Sequence, residues 1–130
     1  YSKIFKNIKS INKEYKLIAL FGCGGDRDMS KRSMMGEISE KYCDSIFITS
    51  DNPRNESLDL IIYDIVKGMR LDKHKIIKDR KEAIESAVKS MSEKSILLVL
   101  GKGREEYQEI NNQKIFFSDI DIIKKSIYAN

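Results

Sequence analysis

The stretch that decides the fold is Leu17-Ile18-Ala19-Leu20-Phe21-Gly22, a continuous apolar run that stops at a glycine. The run is too short for a buried helix, and it lacks polar alternation. These two properties predict a strand that is buried on both faces of a sheet. Short runs at 45–49, 75–77, 96–100 and 115–117 predict four further strands.

Between most of these runs, apolar residues recur at intervals of three and four, which predicts amphipathic helices. The clearest helix covers 58–69, and Asp79 with Glu82 forms a capping box that predicts another helix start. Other helices are predicted at about 4–11, at 31–42 and from 119 onward. Alternating strands and helices predict an α/β fold: a three-layer, Rossmann-like arrangement with a mostly parallel sheet and helices on both faces.

Composition narrows the class of protein. A length of 130 residues, with 41% hydrophobic and 34% charged residues, is typical of one soluble domain. No apolar run approaches the roughly 18 residues of a membrane span, and no leader is visible, so we expect a cytoplasmic protein without a membrane partner. The net charge of +4 comes mainly from scattered lysines, which does not indicate a nucleic-acid surface.

Few residues offer metal or nucleophile chemistry. Cys23 and Cys43 are too few for a disulfide framework, and we expect both to be reduced thiols. No Cys/His cluster indicates a metal site. The single histidine, His74, precedes the third strand and is expected to be an exposed structural residue, so no Ser/His/Asp or Cys/His arrangement can be assembled.

The loops that follow the strands carry the unusual residues of the chain. In a parallel sheet these loops emerge at one edge, where ligands bind outside the carboxyl ends of the strands. The loops are expected at 22–28, 50–54, 78–80 and 101–105. Their glycines, arginines and acidic residues are therefore predicted to lie close together. Arg80, in the third loop, is interpreted as a residue that decorates a helix start.

Two loop arginines and two loop acids suit a zwitterionic ligand. Arg27 and Arg54 can each bind a carboxylate or phosphate with two parallel hydrogen bonds, whereas Asp51 and Glu105 can accept from an ammonium group. Pro53 fixes the backbone of the turn that holds Asp51 and Arg54. As separate features, each of these residues is also typical of an ordinary charged surface.

The glycine-rich loops match no complete nucleotide motif. Gly22, Gly24 and Gly25 allow a close backbone approach or an anion cradle, but Arg27 stands where the dinucleotide fingerprint requires a third small residue. Gly101-Lys102-Gly103 lacks the rest of a P-loop. The residues alone leave open a stand-alone module that binds an anionic nucleotide or sugar phosphate.

Five ordered motifs together carry a family resemblance. They are Gly22-Cys23-Gly24-Gly25-Asp26-Arg27-Asp28, Lys31-Arg32, Asp51-Asn52-Pro53-Arg54, Asp79-Arg80, and Gly101-Lys102-Gly103 followed by Glu105 and Tyr107-Gln108. In these motifs the chain resembles the C-terminal domain of the Mur ligases, of the branch that adds meso-diaminopimelate. The resemblance covers almost all of residues 1–130.

The resemblance implies a three-domain cytoplasmic enzyme of peptidoglycan precursor synthesis. ATP and Mg²⁺ would be bound by a central domain and the UDP end by an N-terminal domain, both outside this chain. The reaction would activate the glutamate side chain of UDP-MurNAc-L-Ala-D-Glu as an acyl phosphate, which the amine of diaminopimelate then attacks. This chain would close over the substrates as a lid. It would carry no catalytic residue and bind no cofactor tightly by itself.

The resemblance also implies residue roles. Arg54 and Asn52 would hold the carboxylate at the distal end of diaminopimelate, with Asp51 organising the turn. Arg27 would hold another carboxylate, and Glu105 with the Gly101 carbonyl would accept from an ammonium. Weaker candidates for the nucleotide-phosphate side are Asp26, Lys31 and Arg32. Lysine lacks the carboxylate assigned to Arg54, yet the same ligase family with a different amino acid remains an alternative.

Three features depart from the family pattern. Ser33 stands where many relatives have proline, and Arg104 stands where many have histidine. Arg104 adds a positive charge beside Glu105. The Asp-Tyr-Ala-His segment that normally precedes the first helix is not in this chain. We therefore do not expect the isolated chain to bind ATP, and we expect it to be inactive.

Overall fold

A computed structural model describes residues 2–11 and 13–129 of the chain. The helices are α1 (Ser2–Ile11), α2 (Ser30–Tyr42), α3 (Leu58–Val66), α4 (Arg80–Lys89) and α5 (Asp119–Ala129). The strands are β1 (Lys16–Phe21), β2 (Ser45–Ile48), β3 (His74–Ile76), β4 (Ser95–Val99), β5 (Tyr107–Ile110) and β6 (Gln113–Phe116). The predicted alternation of strands and helices is confirmed.

Four strands form one parallel sheet in the order β3-β2-β1-β4. Leu20 of β1 aligns with Phe47 of β2 on one side and with Val99 of β4 on the other. The run at 17–21 is therefore an inner strand, and its side chains are almost completely buried. Burial on both faces explains why this run is apolar without alternation.

Each face of the sheet packs against its own helices. Ala19 and Phe21 of β1 join Ile61 and Ile65 of α3 in one cluster, which also contains Phe5 of α1. On the other face, Ile18 and Leu20 of β1 join residues of α4 and α5. Because alternate residues of one strand enter opposite clusters, the protein has three layers, as predicted.

The last predicted strand lies outside the parallel sheet. β6 pairs antiparallel with β5, a strand that the sequence analysis did not predict, and the two form a separate hairpin. The turn between them is Asn111-Asn112, and both residues have positive φ. Such a two-residue turn is the usual connection of a tight hairpin. The hairpin matters for function because it packs against the Asp51–Arg54 turn.

Three smaller findings concern single residues and the membrane. The prediction that His74 is exposed is wrong: it is half-buried at the start of β3, and its Nδ1 atom is enclosed without a hydrogen-bond partner among the described residues. Cys23 and Cys43 are both free, and burial raises the pKa of their thiols to about 11 and about 12. Within the described ranges, no helix is long and apolar enough to cross a membrane.

Candidate functional site

The glycine loop after β1 and the turn after β2 are in direct contact. The Gly25 amide donates to the carbonyl oxygen of Asn52 over 2.7 Å. A side chain on Gly25 would collide with the carbonyl oxygen of Pro53. Only glycine allows this approach, which serves backbone contact rather than a positive φ.

Arg54 is held in one orientation by both loops. Its backbone has a φ of 53°, and its side chain is 21% exposed. Nη1 donates to the carbonyl oxygens of Gly25 over 3.0 Å and of Asn52 over 3.3 Å, and Nε lies 2.8 Å from Oε2 of Glu109. Nη2 donates to none of the residues that the structure describes. The guanidinium therefore keeps one nitrogen for an external acceptor.

Asn52 is buried, and its amide can be oriented from its partners. Oδ1 accepts from Nζ of Lys102 over 2.7 Å and from the amide of Glu109 over 2.9 Å. Both partners are donors, so the atom that they share must be the oxygen. The Nδ2 group of Asn52 donates to none of the described residues, so it is available to an acceptor group on a ligand.

Lys102 lies beneath the site and was missed as a functional residue by the sequence analysis. It is buried, and Nζ also lies 3.2 Å from the carbonyl oxygen of Tyr107 and 3.3 Å from Oδ1 of Asp51. The Asp51 contact is an ion pair without hydrogen-bond alignment, because none of the described groups forms a hydrogen bond with Oδ1. Burial lowers the pKa of the Lys102 ammonium, against the opposing effect of Asp51. Lys102 therefore links its own loop to the turn after β2 and to the start of β5.

Backbone hydrogen bonds join the β5–β6 hairpin to the Asp51–Arg54 turn. The Arg54 amide donates to the Glu109 carbonyl over 2.9 Å, and the Asn111 amide donates to the Arg54 carbonyl over 2.7 Å. Nε2 of Gln108 donates to Oγ of Ser50 and to the carbonyl oxygen of Asp51, both over 2.7 Å. The Asn111-Asn112 pair between alternating residues was the signal that could have revealed this hairpin.

Arg80 connects the carboxyl ends of two strands to α5. It is 1% exposed, and it pairs with Asp119 through Nε over 2.8 Å and Nη2 over 2.7 Å. Nη1 donates to the Ser50 carbonyl over 2.8 Å, and Nη2 donates to the Leu100 carbonyl over 3.1 Å. The interpretation of Arg80 as surface decoration is therefore wrong. Charged groups with this burial persist only when they are paired and hydrogen-bonded.

The other predicted substrate residues lie around the same edge. The position of a Cβ on Gly24 would be 2.8 Å from Nη1 of Arg54 and 3.4 Å from Cγ of Arg27, so the two arginines flank one point. A Cβ on Gly101 would lie 3.1 Å from Oδ2 of Asp51. Arg27 and Glu105 are exposed. The structure thus brings Arg27, Asp51, Asn52, Arg54 and Gly101 together, with Glu105 four residues beyond Gly101.

The residues suggested for a nucleotide phosphate have different surroundings. Arg32 is 1% exposed and pairs bidentately with Glu56, with distances of 2.8 and 2.9 Å, and it also pairs with Asp64 over 3.0 Å. The Arg32 hydrogen bond is the largest cause of a lowered pKa at Glu56. The Asp26 amide donates to Glu56 over 2.8 Å, whereas the side chains of Asp26 and Lys31 are exposed.

These contacts test whether the glycine loop after β1 has free groups that could hold an anion. The amides of Gly25 and Asp26 donate to Asn52 and Glu56 of the protein itself, and the Arg32 guanidinium is engaged by two carboxylates. The loop therefore does not fit a phosphate at these groups. In the described part of the chain, no group of three His, Cys, Asp or Glu side chains could hold a metal ion. The phosphate role of Asp26, Lys31 and Arg32 stays a prediction.

Two of the cavities differ in the residues that line them. A cavity of about 230 Å³ is lined by Asp26, Arg54 and Glu109 together with residues 112–114 of the hairpin. A larger one, of about 470 Å³, lies between α4 and α5 and contains none of the predicted binding residues. The chemistry favours the smaller cavity, because cationic and anionic groups meet there.

Comparisons with known proteins show the family of the chain. The family described as "Mur ligase, glutamate ligase domain" matches residues 2–103. The UDP-N-acetylmuramoyl-L-alanyl-D-glutamate–2,6-diaminopimelate ligase of Chlorobium phaeobacteroides is 43% identical over 128 residues, which is 95% of this chain and 25% of that protein. The ligase of the same name from Chlamydia trachomatis serovar D is 47% identical over 122 residues, 94% of this chain and 25% of that protein.

A solved structure gives the same result for the fold. A 2,6-diaminopimelate ligase of the same name superposes with a TM-score of 0.89 at 33% identity, over 98% of this chain and 27% of that one. The chain thus spans about a quarter of the length of the relatives it matches.

Proposed function

This chain belongs to the Mur ligase family, and from that membership we propose that it is the amino-acid-binding domain of a ligase that adds meso-diaminopimelate to UDP-MurNAc-L-Ala-D-Glu during peptidoglycan precursor synthesis. The relatives named above carry the name of that ligase. Because the chain spans about a quarter of their length, the activity belongs to the larger protein.

One observation supports diaminopimelate over lysine. Within the part of the chain that the structure describes, Nη2 of Arg54 has no partner while its other nitrogens are held, and Nδ2 of Asn52 is a second donor without a partner in the same turn. Both donors suit a carboxylate, because its two oxygens together offer about four acceptor sites and can bind Asn52 and Arg54 at once. Diaminopimelate carries a carboxylate at its distal end, and lysine does not.

The remaining roles follow the family pattern. Arg27 binds the other carboxylate of the amino acid, and Glu105 with the Gly101 carbonyl accepts from its ammonium. Asp51 organises the turn through its contact with Lys102. Each of these side chains binds and orients the incoming amino acid, so the attacking amine is presented in a fixed geometry.

The chemistry of activation lies outside this chain. ATP would supply the phosphoryl group that activates the glutamate carboxylate, Mg²⁺ would neutralise charge on the phosphates, and a further domain would hold the UDP end. The groups of the Gly25 loop do not fit a phosphate, so no step is assigned to them. We expect the chain alone to form no amide bond. Detection of ATP-dependent amide formation by residues 1–130 alone would contradict this assignment.

Arg54→Ala in the full-length enzyme tests the proposal. The ratio of kcat/KM for meso-diaminopimelate to that for lysine should fall by about tenfold to a hundredfold, the range for loss of a charge-assisted hydrogen bond. Arg70→Ala is the matched control, because Arg70 is exposed before β3 at the opposite edge of the sheet. Retention of the full preference in Arg54→Ala would show that Arg54 does not select the substrate.

A further inference from the structure

The carboxylate of Glu109 stands where a ligand carboxylate would bind Arg54. Oε2 of Glu109 lies 2.8 Å from Nε of Arg54, and the two side chains are 27% and 21% exposed. Both side chains line the cavity of about 230 Å³. Glu109 therefore belongs to the candidate site, although neither the sequence patterns nor the family resemblance predicted it as a site residue.

Arginine binds a carboxylate best through two neighbouring nitrogens. Both hydrogen bonds from Nη1 of Arg54 go to backbone carbonyls, so the edge formed by Nη1 and Nη2 is closed to a ligand. The other edge is formed by Nε and Nη2, and Glu109 covers its Nε half. A ligand carboxylate that forms two parallel bonds with Arg54 must therefore displace Glu109.

Displacement is feasible because the pair is partly exposed. Ion pairs that remain in contact with water are weak, since solvent screens the charges. The Glu109 backbone stays fixed, because its amide donates to Asn52 and its carbonyl accepts from Arg54. Only the Glu109 side chain has to move, and it remains beside the incoming ligand.

The chemistry of the ligand decides whether the displaced Glu109 carboxylate finds a new partner. A plain carboxylate leaves Glu109 as an unpaired negative charge next to another negative charge, which is unfavourable. A zwitterionic end group carries an ammonium on the same carbon as its carboxylate, so it offers Glu109 a new partner. The ligand then exchanges one ion pair for two.

We propose that Glu109 is a specificity-determining residue that exchanges Arg54 for the ammonium of the ligand, and so selects a zwitterionic end group over a plain carboxylate. This inference rests on the proposed function and adds to it. Glu109 lies in the β5–β6 hairpin, whereas Glu105 lies in the loop after β4, so the two acids approach the ligand from different elements.

The test compares two substrates in the full-length enzyme. One is meso-diaminopimelate, and the other is 2-aminopimelate, which keeps both carboxylates and the attacking amine but lacks the second amine. The wild type should prefer diaminopimelate, and Glu109→Gln should reduce that preference by about tenfold, mainly through KM. Glu109→Asp, which retains the charge, should keep most of the preference. Glu106→Gln is the control, since Glu106 is exposed and lines a different cavity.

The possible outcomes separate the two claims. Equal losses on both substrates in Glu109→Gln, or an unchanged ratio, would overturn the inference and leave the proposed function intact, because a residue that merely orients Arg54 affects both substrates alike. A wild-type enzyme that ligates neither substrate would remove the proposed function and the inference together. Thermal unfolding of each variant establishes that the fold is retained.

Discussion

Arg80 and Arg54 are two carboxylate-paired arginines at the same edge of the sheet, and they differ in what their nitrogens contact. Arg80 is 1% exposed, and its Nε, Nη1 and Nη2 atoms all bind Asp119 or backbone carbonyls. Arg54 has a side chain that is 21% exposed, and Nη2 binds none of the described residues.

The difference indicates a structural role for Arg80 and a ligand-binding role for Arg54. Arg80 is buried and four of its five N–H groups bind the protein, so it holds the ends of β2 and β4 and the start of α5 in place. A partly satisfied guanidinium is oriented and still has binding capacity, which suits Arg54 for recognition. The comparison predicts that disruption of the Arg80 pair affects stability, whereas disruption of the Arg54 pair affects the choice of ligand.

Asp119→Ala should have the largest effect on stability. It leaves the Arg80 charge buried without its carboxylate, and breaking a buried pair in this way costs about 3–5 kcal/mol. Urea denaturation of the chain measures the change in the free energy of unfolding. Asp121→Ala, at an exposed position two residues later in α5, should change it by about 0.5 kcal/mol or less. Similar losses in both variants would mean that the Arg80 pair does not hold this edge.

Gly25→Ala should have the next largest effect, because it disturbs the backbone to which Arg54 is attached. The new methyl group meets the Pro53 carbonyl, and such overpacking costs about 1–3 kcal/mol. Denaturation of the variant should be compared with that of Gly103→Asn, where no atom lies within 4 Å of the added Cβ. Asparagine tolerates the φ of 54° at that position. If Gly103→Asn is the more damaging change, close contact is not the reason for a glycine at 25.

Arg54→Ala should reduce stability by only about 1 kcal/mol or less, since partly exposed ion pairs contribute about 0–1 kcal/mol. The same variant should lose its preference for meso-diaminopimelate. Side-by-side denaturation with Asp119→Ala provides the comparison. A loss of stability in Arg54→Ala as large as that in Asp119→Ala would remove the distinction between the two arginines.

The smallest expected effect is the contribution of Lys102 to the pH dependence of stability. Burial lowers the pKa of Lys102 in the folded chain, so the unfolded chain binds more protons between that pKa and the ordinary lysine value of about 10.4. The free energy of unfolding gains a rising component with pH across this window. Lys102→Met lacks that component, so the free energy of unfolding, measured by denaturation as the pH rises toward about 10.4, should increase more steeply for the wild type. Parallel pH profiles would contradict this account.

The sequence predicted the arrangement of the site better than its internal contacts. Periodicity and apolar runs identified the parallel sheet, and parallel geometry then brought the loops containing Arg27, Arg54 and Gly101 to one edge. These inferences succeed because they depend on local patterns and on a general property of parallel strands. The residues expected to bind substrate therefore lie around one edge, although their binding role stays a prediction.

The contacts that sequence reasoning missed depend on long-range pairing. Lys102, Arg80 and Glu109 look like surface charges in the sequence, and only the fold reveals which of them is enclosed. Arg80 meets Asp119 across 39 residues, and Gln108 meets Ser50 across 58. The β5 strand was missed because Gln108 and Glu109 interrupt its apolar pattern. Burial of a charge is decided by such distant partners, and local composition does not record them.

A crystal structure of the full-length enzyme with meso-diaminopimelate tests the central claim most directly, because that claim concerns one nitrogen of Arg54. We predict a ligand carboxylate oxygen within about 3.2 Å of Nη2, with the Nη1 contacts to Gly25 and Asn52 retained. A bound ligand whose carboxylates lie elsewhere, with Nη2 still without a partner, would contradict the account.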